Sequence, residues 1–122
     1  MANPILKWAG GKRQIIHEIL KHFPNDYPSR RFHEPMFGAG AITFRIEPKA
    51  GSINDINRRL VNLYRVIKKC PDDLIEYNSR HRYDEECYYE ARNRFNAPIR
   101  GEYLDPIEEA SLLIYLNRSC FN

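Results

Sequence analysis

Apolar positions recur along this chain in two ways: at helical spacing in longer stretches, and in short runs bounded by glycine and proline. Ile15, Ile16, Ile19, Leu20 and Phe23 lie three and four residues apart, which predicts an amphipathic helix over 12–23 that Pro24 and Pro28 end. Before it, the short apolar start Ile5-Leu6 leads into a Gly10-Gly11 loop. Residues 31–37 read as a short strand, and Gly38-Ala39-Gly40 turns the chain sharply. Residues 41–46 suit a short helix closed by Pro48 and Gly51, and 52–55 a second strand. Ile56, Leu60, Leu63, Tyr64 and Ile67 mark one face of another helix. After Pro71-Asp72-Asp73, the charged, tyrosine-rich stretch 74–96 holds at least one helix, signalled by Tyr88, Tyr89, Ala91, Arg92 and Phe95. Asp105-Pro106-Ile107-Glu108 starts a last helix, with Asp as N-cap and Pro at the first helical position, running through Ala110, Leu113, Ile114 and Leu116. Ile15, Ile19, Leu60 and Leu63 are expected in the core, and Tyr83, Tyr88 and Tyr89 as buried or half-buried packing.

Strand, turn, helix, strand, helix is the skeleton of one half of a Rossmann-like α/β fold, here incomplete, helix-rich and with few strands. The length of 122 residues suits one domain rather than two. With 43% hydrophobic and 29% charged residues, disorder is excluded as a description of the whole. The formal net charge of +3 is compatible with nucleic acid without demanding it. Cys70, Cys87 and Cys120 form neither a C-x-x-C pair nor ligand spacing with His17, His22, His33 or His81, so no disulfide framework and no metal site is expected. No apolar run reaches the roughly 18 residues that span a membrane, and the first residues lack a signal-peptide core. A reducing cytoplasm is the expected compartment.

Three segments could carry chemistry. Phe37-Gly38-Ala39-Gly40 lies between a strand and a helix, where missing Cβ atoms and free helix N–H groups suit an anionic, nucleotide-like ligand. A tight structural turn is the plainer reading. Asn54-Asp55-Ile56-Asn57 follows the next strand, about 15–20 residues on, where a carboxylate can accept ribose hydroxyls. The plainer alternative is a helix cap. Lys7-Trp8-Ala9-Gly10-Gly11-Lys12-Arg13 joins a flat aromatic to a glycine loop and a lysine at a helix start. A phosphate-binding P-loop is excluded, because the spacing and the Ser or Thr for magnesium are both lacking.

These blocks, in this order, resemble the Dam-like family of DNA adenine-N6 methyltransferases: Lys-Trp-Ala-Gly-Gly-Lys-Arg at 7–13, Glu-Pro-Met-Phe-Gly-Ala-Gly-Ala at 34–41 and Asn-Asp-Ile-Asn at 54–57. Residues 88–96 and Ala110 with 116–122 also look like the family. The resemblance implies S-adenosylmethionine as cofactor, no metal, and double-stranded DNA as partner in the complete enzyme, in a restriction-modification or DNA-methylation setting. It implies that Trp8 and Lys12 contact the cofactor, with Lys12 near its carboxylate; that Glu34, Gly38 and Gly40 wrap its methionine part; and that Asp55 binds its ribose. It places Lys7 and Arg118 on the DNA side, and Phe121 and Asn122 at the entry to a DNA-recognition hairpin, where an aromatic can wedge between bases.

There are two departures. Met36 stands where the family has Phe after Glu-Pro, an adaptable filler that would loosen the cofactor fit. The family's catalytic Asp-Pro-Pro-Tyr is absent, and Asp105-Pro106 reads as a helix cap, so no catalytic residue is assigned. Residues 1–122 are therefore expected to be the cofactor-binding half of a methyltransferase domain, truncated before the recognition insert and catalytic half, and inactive alone. The alternative is a non-catalytic module that binds DNA or a partner on the same fold. Arg58, Arg59, Arg65, Lys68, Lys69, Arg80, Arg82, Arg92 and Arg94 could face DNA, but interspersed acids favour a solvated charged surface.

Overall fold

The structure, a computed structural model, describes residues 2–120. It forms two compact units, Met1–Ile56 and Asn57–Asn122.

In the first unit the expected helix over 12–23 is split. A 3-10 turn, Lys12–Gln14, precedes helix α1, Ile16–Lys21. Ile15 sits between them at φ −109°, ψ 8°, outside helical geometry. The break re-phases the apolar stripe, so Ile16 is buried, whereas Ile15 is 54% exposed and not core, and Ile19 is half-buried. Strand β1 is Phe32–Glu34, shorter than expected: after Glu34 O accepts the Asn54 N–H, the next bond to the facing segment comes from Phe37 N–H rather than from residue 36, so the regular ladder ends there. Helix α2 is Ala41–Ile46, as the apolar pattern predicts. Strand β2 is Gly51–Ile53 and pairs in parallel with β1, Phe32 opposite Gly51 and Glu34 opposite Ile53. Parallel neighbours need a crossover, and the segment containing α2 supplies it. The result is a helix-rich α/β unit with a two-stranded parallel sheet. Leu6, Phe37, Ala39 and Ile42 join Ile16 in its buried set, and Phe37 meets Phe44 edge-on at 6.1 Å.

The second unit is four helices: α3 Arg58–Lys69, α4 Pro71–Ser79, α5 Glu85–Phe95 and α6 Pro106–Ser119. Three starts are capped by side chains. Asn57 accepts the Arg59 and Leu60 N–H groups, Asp84 that of Cys87, and Asp105 those of Ile107 and Glu108. Ile56 precedes the α3 cap and is 98% exposed, so it is not part of that helix face. The stretch 74–96, expected to hold at least one helix, holds most of α4, which Pro71 opens, and all of α5, which starts behind the Asp84 cap. Helix α6 packs against α3, α4 and α5. Ala91, Leu112 and Tyr115 form a buried cluster joined by Cys87, Phe95, Leu104 and Leu116, and Leu60 and Leu63 are fully buried as expected. From the Asp84 cap, Cys87, Ala91 and Phe95 fall on the inner face at i, i+4 and i+8. Tyr88 is half-buried, but Tyr83 and Tyr89 are exposed and do not pack as expected.

A polar thread runs through this helical core. His81 Nε2 lies 2.8 Å from the hydroxyl of the buried Ser111, and the His81 ring stacks on Tyr115 at 4.7 Å. The Tyr115 hydroxyl donates to the Arg82 carbonyl at 2.8 Å. Burial pushes the His81 imidazole below its ordinary value, outweighing the opposite pull of the Glu108 carboxylate.

Candidate functional site

The two strand ends build the site through a chain of hydrogen bonds. Phe32 N–H donates to Ala50 O, Asn54 N–H to Glu34 O, and Phe37 N–H to Asn54 O, at 2.8–2.9 Å. This pairing carries the two segments side by side past Pro35, and it ends with the Gly38 N–H donating to Asp55 Oδ2 at 2.9 Å. Asp55 is thus drawn to the glycine turn. The helix-capping alternative at this segment goes to its neighbour, because Asn57 is the residue that caps α3. Within one short motif, Asp55 accepts the turn amide and Asn57, two residues on, caps the helix.

The two glycines of the turn do different work. Gly38 has φ +56°, and a Cβ added there would lie 3.4 Å from Cδ1 of Trp8, so the indole rests against this residue. Gly40 has φ +82°, and a Cβ there would fall 2.3 Å from Phe37 Cζ and 2.7 Å from Phe44 Cε2. Gly38 therefore faces the Trp8 side of the turn, whereas Gly40 lets two phenyl rings close beneath it.

Glu34, at the end of β1, is 5% exposed. Its Oε2 accepts the Thr43 hydroxyl at 2.5 Å. Its Oε1 is buried without a hydrogen-bond partner, although Lys12 Nζ stands 3.4 Å away as an ion-pair neighbour. The distance alone would admit a hydrogen bond, but direction does not, so the contact is Coulombic and the oxygen still lacks a donor. Lys12 Nζ also donates to the Met36 carbonyl. Met36 contributes that carbonyl and not a packing side chain: it is 73% exposed, while Phe37 beside it is 3% exposed and takes the buried place. The expectation of Met36 as an apolar filler is corrected accordingly.

Trp8, Lys12, Glu34, Gly38 and Asp55 thus converge at the carboxyl ends of two parallel strands, with Gly40 shaping the turn from below. Lys7 is exposed in the same loop, and Arg118 is exposed in the last turn of α6. Phe121 and Asn122 lie outside the described residues. Several of the basic residues are held by acids: Arg59 by Glu109, Arg80 by Glu76, Arg82 by Asp84 and Arg94 by Glu108. Arg58, Arg65, Lys68, Lys69 and Arg92 are exposed. Thr43 and the Met36 carbonyl were not singled out from sequence. The hydroxyl of Thr43 within Ala-Ile-Thr-Phe was the available signal for the first, and a backbone acceptor leaves none. Among the described residues no group of three or more His, Cys, Asp or Glu could hold a metal, and no helix is long and apolar enough to cross a membrane.

Known proteins match this chain over nearly its whole length. A Type II methyltransferase of Lactococcus lactis subsp. cremoris, M1.LlaDCHI, is 36% identical over 98% of this chain and 42% of its own length. A DNA adenine methylase of Haemophilus influenzae is 36% identical over 98% of this chain and 41% of its own. The Type II methyltransferase M.MjaIII of Methanocaldococcus jannaschii is 34% identical over 98% and 46%. The chain spans less than half the length of these relatives. The profile of the D12 class N6 adenine-specific DNA methyltransferases matches residues 8–122, from the indole that rests on Gly38 onward, and the chain belongs to that family.

Proposed function

We propose that residues 1–122 are the cofactor-binding half of a Rossmann-like DNA adenine-N6 methyltransferase domain that uses S-adenosylmethionine, acts on double-stranded DNA in the cytoplasm, and has no methyl-transfer activity in this half alone. The observation that carries the reading is the knot of Gly38, Asp55, Trp8, Lys12 and Glu34 at the strand ends, where open α/β sheets bind ligands.

The residues fit the group. The cofactor's amino-acid end carries an ammonium and a carboxylate. Glu34 Oε1 is a buried anionic acceptor that lacks a donor, and an ammonium is the partner such an atom calls for. Lys12 offers a cation beside it for the carboxylate. Asp55 would take the ribose hydroxyls, Gly38 and Gly40 would let the backbone approach, and Trp8 would supply an apolar wall. S-adenosylmethionine, when bound, supplies a methyl group activated by a sulfonium. This chain's residues would hold and orient it and exclude water on the indole side. The target N6 would be presented from an extruded base. Lys7 and Arg118, with Phe121 and Asn122, would serve DNA contact. The absence of Asp-Pro-Pro-Tyr supports inactivity of this segment by itself, and it is also what favours the second reading, a non-catalytic DNA- or partner-binding module.

Calorimetry with S-adenosylhomocysteine tests the proposal. Asp55→Asn keeps an acceptor for the Gly38 N–H but removes the charge, and it should weaken binding about tenfold or more, the scale of a charge-assisted hydrogen bond. Undiminished affinity would overturn the assignment. Salt-sensitive DNA retention with no cofactor binding at all would select the second reading.

A further inference from the structure

Thr43 lies in the first turn of α2 and is half-buried. Threonines in a helix commonly give the hydroxyl proton to a carbonyl of the preceding turn. This one donates instead to Glu34 Oε2 at 2.5 Å, nine residues back at the end of β1. A hydroxyl has one proton, so the bond commits it. The bond also commits the carboxylate. The backbone of Glu34 is held by the strand pairing, where its carbonyl accepts the Asn54 N–H at 2.8 Å. The last torsion of the side chain is a soft, roughly two-fold rotation that backbone bonds do not fix. Thr43 fixes it. With Oε2 taken, Oε1 is the oxygen left without a donor, on a residue that is 5% exposed.

The neighbouring cation sharpens the point. Lys12 Nζ stands 3.4 Å from Oε1 without a hydrogen bond to it, and donates to the Met36 carbonyl. A carboxylate free to turn would close onto that ammonium, because a buried acceptor is costly to leave without a donor. Closure would satisfy both groups internally and leave neither for a ligand. Held by Thr43, the anion and the cation stay side by side and unclosed, which suits a ligand end that carries both charges.

We infer that Thr43 is a positioning residue for the cofactor: by holding Glu34, it sets the preference of the site for a ligand with a free ammonium. The inference rests on the reading of Glu34 and Lys12 given under the proposed function, and it extends the site onto helix α2. In this role Thr43 acts only through the carboxylate.

Calorimetry on the 122-residue chain tests it with two ligands. One is S-adenosylhomocysteine. The other is 5′-methylthioadenosine, which keeps the nucleoside and the thioether and lacks the amino-acid end. Thr43→Val keeps the shape of the side chain and removes the hydroxyl, whereas Thr43→Ser keeps the hydroxyl. T43V should bind S-adenosylhomocysteine about tenfold more weakly, the scale of one hydrogen bond to a charged group, and T43S should stay within about threefold of the wild type. Affinity for 5′-methylthioadenosine should change less than about twofold in either variant, because that ligand shares no partner with Glu34. Unchanged S-adenosylhomocysteine affinity in T43V, an equal loss in T43S, or an equal loss for 5′-methylthioadenosine would overturn the role of Thr43 while the cofactor site stands. A wild type that binds neither ligand would remove the proposed function, and this inference with it. If the wild type binds S-adenosylhomocysteine alone, the contrast between T43V and T43S decides. If T43V melts early, the wild type decides by nuclear magnetic resonance. The Thr43 methyl signal should move on addition of S-adenosylhomocysteine and not of 5′-methylthioadenosine, and a signal unmoved by the first or moved alike by both would refute the role.

Discussion

The two units are built by different means. In the first, neither strand exceeds three residues, both helices have six, and neither helix has a side-chain cap. Its order rests on glycine bends and on backbone bonds between strand ends. In the second, helices of nine to fourteen residues pack on a central one, three of them behind Asn or Asp caps. The candidate cofactor chemistry is confined to the unit with less regular structure. Regular elements fix spacing, but a small ligand needs backbone amides and carboxylates brought together from remote positions, and loops do that. One carboxylate oxygen, Glu34 Oε1, is buried without a donor in the first unit, whereas buried polar groups of the second, such as Ser111, have partners.

Perturbations can break or sharpen this contrast. The largest expected effect is in the second unit: Leu112→Ala removes a side chain 3% exposed between Ala91 and Tyr115, and should cost about 3 kcal/mol in urea unfolding. Gly40→Ala should cost about 2 kcal/mol, because the added carbon overlaps Phe37 and the backbone is left-handed. Amide exchange should speed up over 37–44 while the α6 amides keep their protection; uniform acceleration would show that the two units unfold as one. The smallest effect is a pH dependence. Because burial depresses the His81 value below its ordinary 6.5, the unfolded chain binds more protons than the folded one in the window beneath that value. This stability is complete above pH 6.5 and declines as the pH falls towards the folded-state value. His81→Gln should flatten that slope, as read from melting temperatures at a series of pH values.

Much of this was legible in the sequence, for identifiable reasons. Side-chain caps are written in residue types, so Asp105-Pro106 located the start of α6. The α2 bounds followed from a glycine before and a proline after. Register and phase were not legible. A single non-helical residue at Ile15 left that side chain exposed and put Ile16 in the buried place, and no propensity marks that break. Strand β1 ran short because Phe37, not Met36, makes the next bond to the facing segment, and Ile56 left its helix because Asn57 is the better cap. In the site, residue identity pointed to Asp55, but the amide that holds it is backbone and carries no letter. Thr43 and the Met36 carbonyl went unnoticed for a related reason: their importance comes from what they face.

The bond between the Gly38 amide and Asp55 also bears on speed. It ties residues 38 and 55 together through the chain's own atoms, so under the function proposed above capture would need no ordering of the loop. Association would then be governed by encounter, and discrimination among related nucleosides would be expressed in how long each one stays.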